Sequence, residues 1–114
     1  MRDMTRVHAF RDDALGDLDA VGLVTALHAG EVSVREAVEA AVARTEEVDP
    51  ALGAVAYRAY DRARAESLDP RGGFFSGVPT FVKDNVDVQH LPTQHGTDAF
   101  EGRPRRADGG PARM

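Results

Sequence analysis

Only one stretch of this sequence reads as a convincing β-strand, and that limits what the chain can fold into. Thr80-Phe81-Val82 is β-prone and framed by turn formers, with Gly77 and Pro79 before it and Asp84-Asn85 after it. One strand cannot satisfy its own backbone amides and carbonyls, and even an isolated pair is marginal. The sheet this strand needs is therefore not expected within these 114 residues. Val86-Asp87-Val88 adds at most a second short strand, and the tail from His90 to Met114 is rich in Gly, Pro, Arg and Asp without apolar periodicity. The chain reads as cut short, and no repeat or low-complexity tract gives another account of it.

The remaining pattern is helical. Residues 1–17, with Asp12-Asp13 and Gly16, read as an N-terminal arm, either extended or a short helix. Asp19 is a capping residue, Leu23, Val24 and Leu27 share a face, and Gly30 suits a stop, so a helix is predicted over about residues 20–29. Ser33-Val34-Arg35-Glu36 is a capping box that starts the next helix at Val34. Val34, Val38, Ala41, Val42, Thr45 and Val48 form its apolar stripe, with Arg35, Glu39, Arg44 and Glu47 turned mostly towards water. Asp49-Pro50 is predicted to end it, because the residue before proline is pushed away from helical angles. With a tight turn at Gly30, the two helices read as a helical hairpin. A third helix is predicted over Arg58 to Ser67, followed by the turn cluster Asp69-Pro70-Arg71-Gly72-Gly73.

Composition narrows the function classes. With 42% hydrophobic residues the chain can build one small domain and no second core. Fourteen Lys and Arg against 19 Asp and Glu leave a net charge of -5, which offers no broad positive surface for nucleic acid or anionic lipid. The absence of cysteine removes disulfides, thiolate metal sites and a cysteine nucleophile. The N-terminus carries charge without the apolar run of a signal peptide, and no window approaches the roughly 20 apolar residues of a membrane span, so a cytoplasmic setting is expected.

Few residues look chemical. Ser33 serves better as a helix cap, Ser67 ends a helix and Ser76 lies in an entry turn, and no nucleophile elbow surrounds any of them. His90 and His95, with Asp84 and Asp87 upstream, lack the spacing of a zinc motif and read as loop residues, so no metal or cofactor is expected. His28 suits the C-terminal end of the first helix dipole. Gly72-Gly73 and Gly109-Gly110 lack the spacing of a phosphate loop, and Arg103-Pro104-Arg105-Arg106 reads as solvated loop arginines. Lys83 closes the apolar strand: at a solvated strand end its ammonium reaches water, whereas in a desolvated site it becomes a base.

The run Gly77-Val78-Pro79-Thr80-Phe81-Val82-Lys83-Asp84-Asn85-Val86-Asp87-Val88 resembles the lysine motif of the amidase signature family. The order of the preceding hairpin, Val48-Asp49-Pro50-Ala51-Leu52-Gly53-Ala54-Val55 and an Ala-rich helix also agrees with that family's first quarter. Leu91-Pro92-Thr93-Gln94-His95-Gly96-Thr97 looks like its Leu-x-Thr-x-x-Gly-Ser loop, with Thr97 in place of serine, and Ala107-Asp108 resembles the start of its next helix. The resemblance divides the chain into an arm (1–17), the N-terminal part of an amidase domain (18–108) and the start of a further helix (109–114).

The resemblance implies an α/β fold with a mixed central sheet covered by helices, of which this chain holds the helical hairpin and the first strand. It implies Lys83 as the general base of a Ser-cisSer-Lys triad, with Gly77, Pro79, Asp84 and Gly96 supporting the motif and no nucleophile in this chain. A small-molecule amide is the implied substrate and a homodimer is compatible with the complete enzyme; nucleic acid and membrane are not expected partners. An amidotransferase A subunit is the alternative within the family. A non-catalytic helical interaction module is the alternative outside it, opposed by a lone strand edge that invites pairing.

Overall fold

The computed structural model describes residues 6–96, 99 and 102–109. The chain divides into two compact units, one of Met1–Ala54 and Tyr60–Pro79, the other of Val55–Ala59 and Thr80–Met114.

The first unit is built from three helices, α1 (Ala20–His28), α2 (Val34–Leu52) and α3 (Tyr60–Glu66). Asp19 starts α1 from an extended conformation and its carboxylate accepts the Gly22 N–H at 2.7 Å. The predicted capping box opens α2: Glu36 N–H donates to Ser33 Oγ at 3.1 Å and Ser33 N–H donates to Glu36 Oε1 at 3.0 Å. These Ser33 donors hold the Glu36 carboxyl below the usual carboxylate range. The buried apolar residues are Leu23, Val24 and Ala26 of α1 with Ala37, Val38, Ala40 and Val42 of α2.

Three features of this unit extend or correct the expectations. First, α3 lies against α2. Arg64 of α3 donates to Glu39 at 2.7 Å across that contact. The buried face of α2 also differs from the predicted stripe, since Ala37, Ala40 and Asp49 are buried alongside Val38, Val42 and Thr45.

Second, α2 does not stop at Asp49-Pro50 but runs on to Leu52. Pro50 lies in the final turn, where its missing N–H forgoes one bond to the preceding turn, and Gly53 closes the helix with φ 60° and an N–H donated to the Asp49 carbonyl at 2.7 Å. The buried Asp49 side chain accepts the Ala54 N–H at 2.7 Å, a closure that the local bias against helical angles before proline does not include.

Third, Arg44 does not simply face water. Its guanidinium donates to Asp13 Oδ2 at 2.7 Å, Asp13 Oδ1 at 2.6 Å and the Gly16 carbonyl at 2.7 Å, tying the arm to α2. Within the arm, residues 12–17 form bends and turns rather than a helix. Residues 1–5 of that predicted arm lie outside the described residues.

In the second unit the predicted strand does not form: residues 80–83 carry no regular secondary structure, nor do 86–88. Among the described residues the only sheet-like pairs are the isolated bridges Gln89 with Arg105 and Pro92 with Pro104. The reason is the one that makes a lone strand untenable, since no neighbouring strand accepts its backbone groups. Ala107-Asp108 is likewise not helical, and of the segment 109–114 only Gly109 is described. The described residues thus form a three-helix unit and a loop unit, without the sheet of the expected α/β architecture.

Candidate functional site

The lysine segment and the loop that follows it are stitched together by two aspartates. The Asp84 carboxylate accepts the Gln94 N–H at 2.9 Å through one oxygen and the Gly96 N–H at 3.3 Å through the other. Its backbone carbonyl accepts the His95 N–H at 2.9 Å. His95 and Gly96 both take left-handed conformations, φ 57° and 70°, so this turn needs such anchoring. The segment Lys83 to Val86 is itself a turn, closed by Val86 N–H donating to the Lys83 carbonyl at 3.1 Å.

Asp87 does the second part of the stitching. Its Oδ1 accepts the Thr93 hydroxyl at 2.7 Å and pairs with Arg105 Nε at 3.1 Å, while its carbonyl accepts the Gly109 N–H at 2.6 Å. Thr93 is the most buried polar side chain of the described residues, at 1% exposure. Arg105 closes the arrangement through its backbone, donating to the Leu91 carbonyl at 3.1 Å and accepting the His90 N–H at 2.7 Å. Further along, Asp108 accepts the Gln89 N–H and Gln94 Oε1 accepts the Gly102 N–H, each at 2.7 Å.

Lys83 itself is exposed, and its ammonium makes no hydrogen bond or ion pair with the described residues. It is also the sole lysine of the sequence, against 13 arginines. The desolvated setting that suits a lysine to act as a base is not supplied by its described neighbours. Gly77 and Pro79 lie in the first unit, where Gly77 adopts φ 88° with Val34 and Leu27 against it. Asp84 and Gly96 are brought together in the second, and Thr97 falls outside the described residues.

The three serines are occupied locally. Ser33 caps α2, Ser67 donates to the Arg64 carbonyl at 2.6 Å, and Ser76 donates to the Arg71 carbonyl. Asp84 and Asp87 act as hydrogen-bond acceptors for the loop. Arg105 and Thr93 are the members of the site that sequence reasoning passed over as chemistry. The arginine was legible only as part of a basic run, and nothing local marked its partner as Asp87.

The chain belongs to the amidase family: the family model described as Amidase matches residues 36–113. That match begins inside α2 and includes the lysine segment and both aspartates. The protein named "Putative amidase AmiC" of Mycobacterium leprae is 58% identical over 106 residues, covering 93% of this chain and 23% of that protein. The protein of the same name from Mycobacterium tuberculosis is 60% identical over 100 residues, covering 86% and 21%. The A subunit of the glutamyl-tRNA(Gln) amidotransferase of Symbiobacterium thermophilum is 35% identical over 94 residues, covering 75% and 19%. The chain therefore spans about a fifth of the length of the curated relatives it matches. No solved structure matches it. No helix among the described residues is long and apolar enough to cross a membrane.

Proposed function

We propose that this chain carries the general base of an amide-hydrolysing centre, with Lys83 as the lysine of a Ser-cisSer-Lys triad. The observation that carries the reading is the identity of about 60% to proteins named amidase, over a stretch that includes the lysine segment. In that reading a serine outside these residues attacks the carbonyl carbon of a small carboxylic amide. Lys83 takes the proton through a second serine, an acyl-enzyme forms, and ammonia or an amine leaves before water releases the acid. Asp84 and Asp87 hold the loop beside Lys83, and no metal or cofactor takes part. The setting is cytoplasmic, and a second copy is compatible with the complete enzyme.

The 114-residue chain alone is inactive in this reading. Its three serines are engaged as local donors or caps, and Lys83 stands in water. Loss of the nucleophile and of oxyanion donors removes contributions on the order of three to four kcal/mol each. Incubated with simple aliphatic or aryl amides, the chain is expected to release no ammonia above a Lys83→Met control, and lysine-dependent turnover would overturn the inactivity. In a longer polypeptide containing this chain and a serine loop, Lys83→Ala is expected to abolish hydrolysis with the fold intact. Near-normal rates there would remove Lys83 from the mechanism.

The lower identity to the amidotransferase protein makes ammonia transfer onto a charged tRNA the second reading. Ammonia released into solution without a tRNA acceptor separates the two.

A further inference from the structure

The groove between α2 and α3 holds a pocket of about 250 Å³ lined by Arg35, Glu39, Arg64, Ala65, Ser67 and Leu68. Its walls are fixed on both sides. Arg35 and Glu39 stand one turn apart on α2, and Arg64 lies in the last turn of α3. Beyond α3 the chain keeps turning, with Ser67 N–H donating to the Ala63 carbonyl at 3.0 Å and Leu68 N–H to the Ala65 carbonyl at 3.2 Å. Arg64 spans the groove in a two-point pair with Glu39, Nε to Oε1 at 2.7 Å and Nη2 to Oε2 at 3.3 Å. That pair occupies the one carboxylate of the wall, and the Ser67 hydroxyl is spent on the Arg64 carbonyl at 2.6 Å. Arg35 is left over. Its charge is felt at Glu39, but its guanidinium makes no hydrogen bond or ion pair with the described residues.

We infer that this pocket binds a small monocarboxylate with an apolar body, its carboxylate on the Arg35 guanidinium and its body against Ala65 and Leu68. Two arginines against one glutamate leave the wall a single positive charge, which one negative charge balances. The planar guanidinium fork meets a carboxylate through two parallel hydrogen bonds. A dianion fits less well, because its second charge either faces Glu39 or must draw Arg64 away from it. Leu68 is 77% exposed, so an apolar body has surface to cover there. Pockets of roughly 300–1,000 Å³ hold drug-sized ligands, and the smaller volume here suits a small acid. Lys83 takes no part in this site, so the inference stands or falls apart from the proposed function.

The test titrates the isotope-labelled chain with benzoate, with benzyl alcohol as a neutral match and with inorganic phosphate as a bare anion, and follows the NMR signals of the Arg35 side chain and the Ser67 and Leu68 amides. Benzoate is expected to give saturable shifts at all three, weakening as salt is raised because the wall is largely exposed. Benzyl alcohol and phosphate are each expected to bind about tenfold or more weakly, since each lacks one half of the recognition. Arg35→Gln, at an exposed helix position, is expected to weaken benzoate about tenfold, and Arg35→Lys, which keeps the charge without the fork, by less. Leu68→Ser is expected to weaken benzoate by about threefold or more and to leave phosphate unchanged. Shifts that do not saturate, or benzoate affinity unchanged by Arg35→Gln, would overturn the inference. Phosphate binding as tightly as benzoate would do the same, because the apolar body would then contribute nothing. The comparison of the three probes on the parent chain needs no variant to fold.

Discussion

The Asp84 carboxylate accepts the Gln94 backbone N–H at 2.9 Å, so the residue beside the lysine holds a turn ten positions further along the chain. The same side chain holds the Gly96 N–H at 3.3 Å, while the His95 N–H goes to the Asp84 backbone carbonyl. This division of labour separates side-chain from backbone anchoring. In Asp84→Ala, amide exchange at Gln94 and Gly96 is expected to accelerate roughly tenfold or more, and at His95 by less. Unchanged exchange at Gln94 and Gly96 would show that the turn is held by some other feature.

Gly77 opens the lysine motif and cannot carry a side chain without disturbance. A Cβ there lies 2.7 Å from Val34 Cγ2, and φ of 88° is a conformation that side chains rarely adopt. Gly77→Ala is expected to lower stability by about 1–3 kcal/mol in urea unfolding. Adding Val34→Ala is expected to relieve the steric part only, because the backbone conformation remains unfavourable. Full recovery in the double variant would locate the whole cost in the contact.

Asp13 and Arg44 form a partly buried pair, with side chains 20% and 13% exposed. Hydrogen bonding from Arg44 holds the Asp13 carboxyl below the usual carboxylate range, and the same bond raises Arg44. A depressed carboxyl contributes stability that is fully present above its ordinary value of about 3.9 and is lost as pH falls through the lower folded value. Asp13→Asn is thus expected to cost about 1–3 kcal/mol at pH 7, and the gap from the parent chain is expected to close as pH drops below about 4. A gap independent of pH would show that charge is not what holds the arm.

Thr93 is buried at 1% exposure and donates its hydroxyl to Asp87 at 2.7 Å. Thr93→Val keeps the shape and removes the donor, so about 1–2 kcal/mol of local stability is expected to be lost. Because Asp87 also holds the Gly109 N–H through its carbonyl, exchange at Gly109 reports whether that loss spreads. No change in stability would mean that water replaces the hydroxyl without cost.

The helix starts were legible because their signals are local. Asp19 and Ser33 bond to amides three residues away, and these bonds need nothing else in the molecule. The lysine motif was legible as a pattern of residue types, and so was the loop from Leu91 to Gly96. That Asp84 and Asp87 bind the two together was not, because hydrogen bonds between segments depend on loop conformation rather than on spacing.

The ends and edges were decided elsewhere. α2 passes Pro50 with Asp49 bonded to the Ala54 N–H five residues on and Gly53 in a left-handed conformation, a closure at the helix end that the bias before proline does not include. Arg44 leaves the water-facing role its helix position suggests because the arm brings Asp13 and the Gly16 carbonyl to it. Thr80 to Val82 has the residues of a strand and yet is none, since a strand exists only through its neighbours. The sequence by itself determined where helices begin and which lysine motif the chain carries. Only the tertiary structure decided which faces are buried, what the aspartates hold, and that Lys83 here lies in water, because each depends on groups brought together from distant parts of the chain.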